Sequence, residues 1–354
     1  MQKNNPSYIF LTGNRYLQLF LLLALMFSSC KKNFSSDQFE DDKLVVLAEI
    51  TANDSVKIPI GKTIKVENGN LIRFEKVNDA TVTLTETNTS SWVLQPNYSP
   101  QYANNPTSMF TNKKRFKANT SYMIEINHPT LGLVKASTHI PLLPKLMCVD
   151  TSSTQFTNKE VFAATISWKD SLNFEEFYII EAVKELVKNN HFFFYQGKRH
   201  SYDTQEGKEL YAQIKNTPGV KLLTDTVSLG KYVRLNLYTD DNLSENARID
   251  KLTNPFRRIF FADGSFNGGT RTTNVYIDKL FFVDPQQKGR VRLALKSVSR
   301  ELYKYLMLYE KYKTDFGSVP TSQLISPSGN IENGLGIFGG SAKRERVYYF
   351  DTLL

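Results

Sequence analysis

The chain has 354 residues, of which 41% are hydrophobic and 22% charged, and its 44 Lys and Arg against 35 Asp and Glu give a formal net charge of +9. This composition excludes a disordered chain, a collagen, a coiled coil, a multi-pass membrane protein and a disulfide scaffold. The length is typical of two domains, and the 24 Phe and 18 Tyr favour strands.

The N-terminus has the layout of a bacterial lipoprotein signal peptide. Two basic residues precede an apolar run at residues 17–27. This run is too short for a membrane-spanning helix, which needs about 20 residues, but it suits a signal-peptide core. Two serines then stand directly before Cys30, as in a lipobox. The sequence therefore predicts a signal peptide over residues 1–29 and lipidation of Cys30 by acyl chains such as palmitate.

Residues 30–42 are polar and predict a lipidated tether. Four acidic residues lie within residues 36–42. This segment is similar to the acidic export signals of lipoproteins in Bacteroidota-type bacteria, and the alternative is a solvated run of charge. We expect a lipid-anchored protein of the outer membrane that faces the cell surface, because two or three acyl chains anchor a protein stably.

Short alternating segments separated by turns fill residues 43–140. Residues 81–85, for example, alternate with a period of two, as a half-buried strand does. Strands at this spacing predict an Ig-like β-sandwich domain. We expect the polar residues 88–119 to form one extended loop, on which Tyr98 and Tyr102 are candidate ligand contacts.

A proline-containing linker after residue 140 marks the predicted boundary of a second β-rich domain, residues 145–354. Its first strands, which include Trp168, resemble the opening of a fibronectin-type sandwich. The second of these strands is expected at residues 178–183, although residues 175–188 have a periodicity that also permits a helix. A short helix is expected at residues 205–216, and an amphipathic helix near residues 299–313. The predicted fold is therefore mainly β, with two β-sandwich modules and a C-terminal amphipathic helix.

An aromatic run in the second domain offers further candidate ligand contacts at Phe192, Phe194 and Tyr195. Phenylalanine and tyrosine supply large contact areas and stack on sugars or peptides. The alternative for this run is packing in the core.

Four triplets of Asp, then Ser or Thr, then an aliphatic residue exceed the single one that the residue frequencies predict. They resemble the O-glycosylation acceptor of Bacteroidota-type bacteria, and turn chemistry at strand ends is the alternative. The candidate acceptors are Ser55, Ser171, Thr226 and Thr352.

The sequence contains no nucleophile elbow, P-loop, His-Glu-x-x-His or paired Cys-x-x-Cys motif. It therefore predicts a non-enzymatic protein without catalytic residues, cofactor or metal. An enzyme that uses Asp240, Asp241 or Asp263 is the weaker alternative. Because no basic cluster concentrates the positive charge, no nucleic-acid partner is expected.

Several segments together resemble one family. They are the glycine-rich run at residues 330–340 (NIENGLGIFGG), the strand segment at residues 291–299, residues 261–268 and the opening at residues 43–50. These segments are similar to a Bacteroidota lipoprotein family, domain of unknown function four-two-four-nine. The resemblance implies a surface or outer-membrane lipoprotein encoded beside a TonB-dependent receptor. It implies no catalytic residues, because no activity is established for the family.

The predicted function is that of an outer-membrane or surface lipoprotein that binds a ligand or assists a TonB-dependent β-barrel receptor in nutrient uptake. The alternative is an adhesive or structural protein of the cell surface. For the glycine-rich run we expect a structural role rather than a ligand cradle, since it lacks the strand-then-helix setting of a nucleotide loop.

Overall fold

Strands dominate the computed structural model, which confirms the predicted mainly β class. The structure describes residues 42–65, 72–87, 89–172, 175–279, 289–316 and 329–349. The predicted signal peptide, Cys30, most of the predicted tether and Thr352 lie outside the described residues. The described residues belong to one compact unit, Asp42–Leu354.

The strands of the described residues follow in chain order: β1 (Leu44–Thr51), β2 (Ser55–Lys65), β3 (Ile72–Lys76), β4 (Thr81–Glu86), β5 (Ser90–Pro96), β6 (Ser108–Arg115), β7 (Thr120–His128), β8 (Gly132–Ile140), β9 (Lys145–Phe156), β10 (Lys159–Lys169), β11 (Phe177–Tyr195), β12 (Lys198–Ser201), β13 (Leu223–Arg234), β14 (Leu237–Thr239), β15 (Ile259–Ala262), β16 (Thr270–Asp278), β17 (Gly289–Val298) and β18 (Leu335–Tyr349). Two α-helices accompany them, α1 (Gln205–Ile214) and α2 (Arg300–Phe316). Short 3₁₀ helices lie at Pro100–Tyr102, Glu245–Arg248 and Asp263–Ser265.

One large sheet joins the two halves of the sequence. Its order is β12-β11-β17-β18-β1-β2-β6-β5-β4-β7-β8, with β13 and β15 also on β11 and β3 on β2. Strand β18 pairs parallel with β1 and antiparallel with β17. The last described strand therefore connects the segments predicted as separate domains. The second sheet has the order β14-β16-β10-β9.

Two apolar cores account for the alternation of the strands. In the first core, alternate residues of β1, β2, β4, β6, β7 and β8 pack together, and Phe338 of β18 joins them. The second core lies between the smaller sheet and one face of β11, β15 and β17, with Trp168 and Phe261 in edge-to-face contact at 5.3 Å. Burial of these side chains is the main favourable term for folding.

Helix α2 covers the opposite face of β11 and β17. Leu302 and Tyr303 of the helix pack on Phe177 and Val298 in a third cluster. The Oγ of Ser299 accepts the backbone N–H of Leu302 at 3.3 Å, which caps the first turn. The helix lies where the sequence places one, but strand β18 follows it in the chain, so it is not the C-terminal element.

One sequence expectation about a loop is wrong, and a strand for which a helix was the alternative is confirmed. Residues 88–119 are not one extended loop, because they contain β5 and β6, whose Leu94 and Phe110 are buried in the first core. The polar side chains that suggested a loop alternate with these buried ones. The strand expected at residues 178–183 is confirmed by β11, which begins at Phe177, and the helical alternative for residues 175–188 is excluded. The first six residues of β11 are all buried, since the strand is covered on both faces, and such a strand loses its alternation. The short helix expected at residues 205–216 is confirmed by α1.

Candidate functional site

The second half of β11 leaves the body of the sheet and carries β12 and β13 on its two edges. We call residues 187–234, which include α1, the arm. None of its described residues belongs to the large apolar clusters. Gln196 and Gly197 connect β11 to β12, and both have positive φ, as the two-residue turn of a tight hairpin requires.

A small core of its own holds the arm together. Phe193 is fully buried, stacked on His200 at 5.4 Å and in contact with Tyr211 of α1 at 5.1 Å. Thr204 caps α1 by accepting the backbone N–H of Gly207 at 3.1 Å. These contacts fix α1 against one face of the arm.

The opposite face of the arm carries a partly exposed apolar patch among polar side chains. Phe194 is 51% exposed and meets Phe192 edge-on at 5.6 Å. Leu223 lies opposite Phe192 in the β11–β13 register, and Val227 follows on the same face of β13. We call these residues, together with Arg199, the arm face. Large apolar side chains that share one exposed face are typical of interaction sites.

A guanidinium group is held in place within the arm face. Arg199 lies opposite Phe194 in the register, its Cζ is 3.8 Å from the centre of the Phe192 ring, and its Nη2 is 3.3 Å from the Oδ2 of Asp225. The arginine is therefore oriented by both a cation–π contact and an ion pair. Sequence reasoning identified Phe192 and Phe194 but missed Arg199, which only the register of the hairpin brings to them. The Gln-Gly turn was the available signal.

Strand β13 is an edge strand among the described residues, since it pairs only with β11. Its residues 226–230 carry no charge, and Val227, Leu229, Tyr232 and Val233 are exposed. Proteins usually protect such edges with charge, proline or a covering segment, because an open edge accepts a further strand. The edge of β13 is thus a second feature of the arm that suits partner binding.

The other predicted ligand contacts do not join the arm face. Tyr195 alternates to the opposite side of β11 from Phe194. Tyr98 and Tyr102 lie in the connection from β5 to β6, in the other half of the large sheet. Tyr98 is 72% exposed, whereas Tyr102 is half-buried. The sequence candidates therefore fall in separate places, and two of them form part of one surface.

The predicted glycosylation acceptors that the structure describes are half-buried. Ser55 begins β2, Ser171 follows β10, and Thr226 donates to the Oδ1 of Asn189 at 3.1 Å. In the triplet that contains Ser171, the aspartate also has a structural role. The buried carboxylate of Asp170 accepts hydrogen bonds from the Tyr178 hydroxyl and the Gly268 N–H, each at 2.8 Å. Glycosylation at these residues stays a prediction.

The aspartates proposed for the enzyme alternative are each engaged within the fold. Asp240 accepts the Tyr276 hydroxyl at 2.7 Å. Asp241 forms an ion pair with Arg271. Asp263 accepts the backbone N–H of Glu176 at 2.9 Å. In the described part of the chain, no group of three or more His, Cys, Asp or Glu is arranged to hold a metal ion. No described helix is long and apolar enough to cross a membrane.

A cluster of buried charges lies beneath α2, and sequence reasoning missed it. The Nζ of Lys296 is 2.8 Å from Glu49 and also pairs with Glu181. The Nε of Arg258 is 3.5 Å from Glu181, and its Nη1 is 3.9 Å from Glu310 of the helix. We call these five residues the ion cluster. They come from β1, β11, β17, α2 and the segment before β15, so no local pattern could predict them.

Within the ion cluster, Glu49 and Lys296 each favour the charged form of the other. Burial by itself would raise the pKa of Glu49, but the ammonium of Lys296 and the Ser341 hydroxyl lower it to about 2. Burial would likewise lower the pKa of Lys296, yet Glu49 and Glu181 raise it. Such a cluster ties its elements together, because removing one partner leaves the others buried and unpaired.

Comparison with curated proteins finds no match. A family model described as "Domain of unknown function (DUF4249)" matches residues 31–346. This range includes the arm, the ion cluster and all but the last three residues of β18, the strand that joins the two halves of the large sheet. The match confirms the family resemblance that the glycine-rich run and the strand segments indicated. The chain therefore belongs to the DUF4249 family, whose domain is of unknown function.

Proposed function

We propose that this protein is a non-enzymatic lipoprotein of the outer membrane, anchored through Cys30, and that its arm docks onto a partner protein at the cell surface. The expected partner is a TonB-dependent β-barrel receptor, which this protein would assist in nutrient uptake. The observation that carries the proposal is the exposed arm face, an apolar patch built around an oriented arginine. An adhesive or structural surface protein is the alternative.

The composition of the arm face suits a protein partner. Interface residues that dominate binding energy are enriched in aromatic residues and arginine. Phe192, Phe194 and Arg199 supply both kinds within one contact network. Because Arg199 is already oriented in the free protein, little side-chain entropy is lost when a partner binds. The open edge of β13 offers main-chain hydrogen bonds to an extended partner segment beside the same patch.

The predicted tether supports the proposal that the partner lies in the same membrane. Residues 30–42, fully extended, span at most about 45 Å. A lipid anchor on Cys30 would therefore confine the arm to a thin layer above the membrane. Confinement raises the effective concentration of the arm for a receptor in that membrane, so a modest contact can suffice.

The predicted sandwiches belong to the same proposal. We propose that residues 43–140 form an Ig-like sandwich and that residues 145–354 include a second, fibronectin-like one. Two separate cores support this assignment, one between β1–β2–β6 and β4–β7–β8, and one between the smaller sheet and β11–β17. Exposed connections on such scaffolds commonly carry the binding residues.

Site-specific crosslinking in native cells tests the proposal. A photo-crosslinking phenylalanine analogue replaces Phe194, and the matched control carries it at Tyr98, which is at least as exposed but lies in the other half of the sheet. We expect a covalent adduct with a β-barrel receptor from position 194 and none from position 98. Protease added to intact cells should also degrade the protein.

Three results would overturn the proposal. Adducts of equal yield from both positions would show that the arm is not a specific surface. A protein protected from external protease would exclude docking at the cell surface. Loss of cell attachment after Phe194→Ala, with no receptor adduct, would favour the adhesive alternative.

A further inference from the structure

A groove lies where the linker between the two predicted domains crosses the last strand. Residues 143–146 form one wall and residues 344–346 of β18 the other, around a volume of about 390 Å³. Small-ligand sites typically have volumes of about 300–1,000 Å³. None of the residues that line the groove belongs to the arm, so it is a separate feature.

The linker wall is fixed to the fold. The Oγ of Ser297 donates to the carbonyl oxygen of Leu142 at 2.5 Å, and the backbone N–H of Leu146 donates to the carbonyl oxygen of Pro144 at 3.0 Å. Pro144 is buried, and Leu146 packs against the second core. The groove therefore has a preformed wall.

The strand wall is positioned by the register of β18. Arg344 lies opposite Leu295 and Arg346 opposite Leu293 of β17. On the other edge of β18, strand β1 ends at Thr51 opposite Ser341, so beyond that point the described strands leave this edge open. Arg344 and Arg346 share a face of β18 with Ala342, which belongs to the first core, and with Tyr348, which packs against the second. The two arginines therefore lie between the two cores.

Three basic side chains line the groove. Lys145, Arg344 and Arg346 are exposed, and none of their side chains forms an ion pair or a hydrogen bond with another described residue. The carboxylate of Glu345 alternates to the opposite face, where it lies 3.3 Å from Arg292 and 2.9 Å from Lys343. Glu345 also lines the groove, but its charge is already paired with these two cations.

We propose that this groove binds a soluble ligand that carries two oxyanion groups, carboxylates or phosphates, one for each of two flexible arginines whose Cα atoms are about 7 Å apart, since that is the separation of alternate residues on a strand. Each group would meet one of the two guanidinium forks of Arg344 and Arg346, whose planar geometry matches oxyanions. Lys145 adds a point charge from the opposite wall. The groove's role does not depend on the proposed function of the arm.

Calorimetric titration of the full-length lipoprotein in a neutral detergent tests the proposal at low ionic strength. The probes are citrate for carboxylates, pyrophosphate for phosphates, and acetate as a single-charge control. We expect citrate or pyrophosphate to bind with a Kd below about 1 mM, and acetate at least tenfold more weakly. Whichever probe binds identifies the oxyanion class. Raising the salt concentration should weaken binding, because the charges are exposed.

Variants test whether the measured heat of binding comes from ligand bound in the groove. We expect the double variant Arg344→Gln/Arg346→Gln to weaken binding at least tenfold, and Lys145→Gln to weaken it less. Arg199→Gln, which removes an arginine from the arm face, is the matched control and should leave the affinity unchanged. Equal melting temperatures of the four proteins would show that the fold is intact.

Two outcomes would overturn the proposal. One is the absence of heat with both citrate and pyrophosphate, which would leave Arg344 and Arg346 as charges that guard an open strand edge against aggregation. The other is an equal affinity in the wild type and the double variant, which would place the binding elsewhere.

Discussion

Lys296 shows how one buried residue can connect several elements. Its side chain is 9% exposed, and its ammonium neutralises Glu49 of β1 and Glu181 of β11. Replacement by methionine keeps the volume but leaves the buried carboxylate of Glu181 and the partly buried carboxylate of Glu49 without their main partner. We expect Lys296→Met to lower the free energy of unfolding by about 3–5 kcal/mol, measured by urea denaturation.

A lysine on the neighbouring strand provides the control for this change. Lys343 lies 2.9 Å from Glu345, and both side chains are partly exposed to solvent. Lys343→Met should therefore cost less than about 1 kcal/mol. Equal losses of unfolding free energy in the two variants would show that the ion cluster stabilises the fold no more than a partly exposed ion pair does.

Acid should weaken the fold through Glu185, which is fully buried. Hydrogen bonds from Arg290 at 2.6 Å and Arg292 at 2.7 Å lower its pKa from 4.5 to about 2. A lowered pKa stabilises the fold above the unfolded-state value, and this contribution is lost as the pH falls through the folded-state value. We expect a loss of about 3 kcal/mol from this group between pH 5 and pH 2.

The measurement is the free energy of unfolding from urea titrations between pH 7 and pH 2, compared with Glu185→Gln. The variant should be less stable at neutral pH, and the difference between the two proteins should shrink as the pH falls. A difference that stays constant with pH would mean that Glu185 does not contribute through its charge.

At the scale of elements, the arm should behave as a locally stabilised unit. Phe193 is the centre of its small core, and the arm joins none of the large described clusters. We expect Phe193→Ala to speed hydrogen exchange in α1 and β12, because the lost packing is worth about 3–5 kcal/mol. Exchange in β7, within the first core, should not change.

The adjacent residue separates the stability of the arm from its binding. Phe194→Ala removes a half-exposed ring from the same strand, so exchange in α1 should stay at the wild-type rate. Faster exchange throughout the molecule in Phe193→Ala would contradict the local character of the arm. Faster exchange in Phe194→Ala would show that the arm face also stabilises the arm.

The elements also show what the sequence can and cannot predict. Alternation at residues 81–85 correctly predicts β4, because one face of that strand is buried and the other faces solvent. Alternation is lost at the start of β11, where both faces are covered, so periodicity left a helix open beside the predicted strand. Only part of the arm face could be predicted. The sequence indicates the two phenylalanines as contact residues, but the position of Arg199 beside them depends on strand register.

At the scale of the whole molecule, the decisive contact is the one farthest apart in sequence. Val45 pairs with Leu335 where β1 meets β18. The sequence shows that both segments are strands, and it marks the glycines of β18 as structural. Which strands pair over such a separation depends on the packing of the entire chain, so the joining of the two predicted domains by one sheet could not be predicted.

Gly340 tests whether this joining strand makes the molecule unfold as one unit. A Cβ at this position would collide with the carbonyl oxygen of His139 in β8, and the residue lies on β18 opposite Ile50 of β1. We expect Gly340→Ala to destabilise the protein by about 1–3 kcal/mol, and calorimetry should show one transition lowered by about 2–6 °C. Gly264→Ala is the control, since its Cβ would meet nothing within 4 Å. Two resolved transitions, of which Gly340→Ala moves only one, would mean that the halves unfold independently although β18 pairs with both.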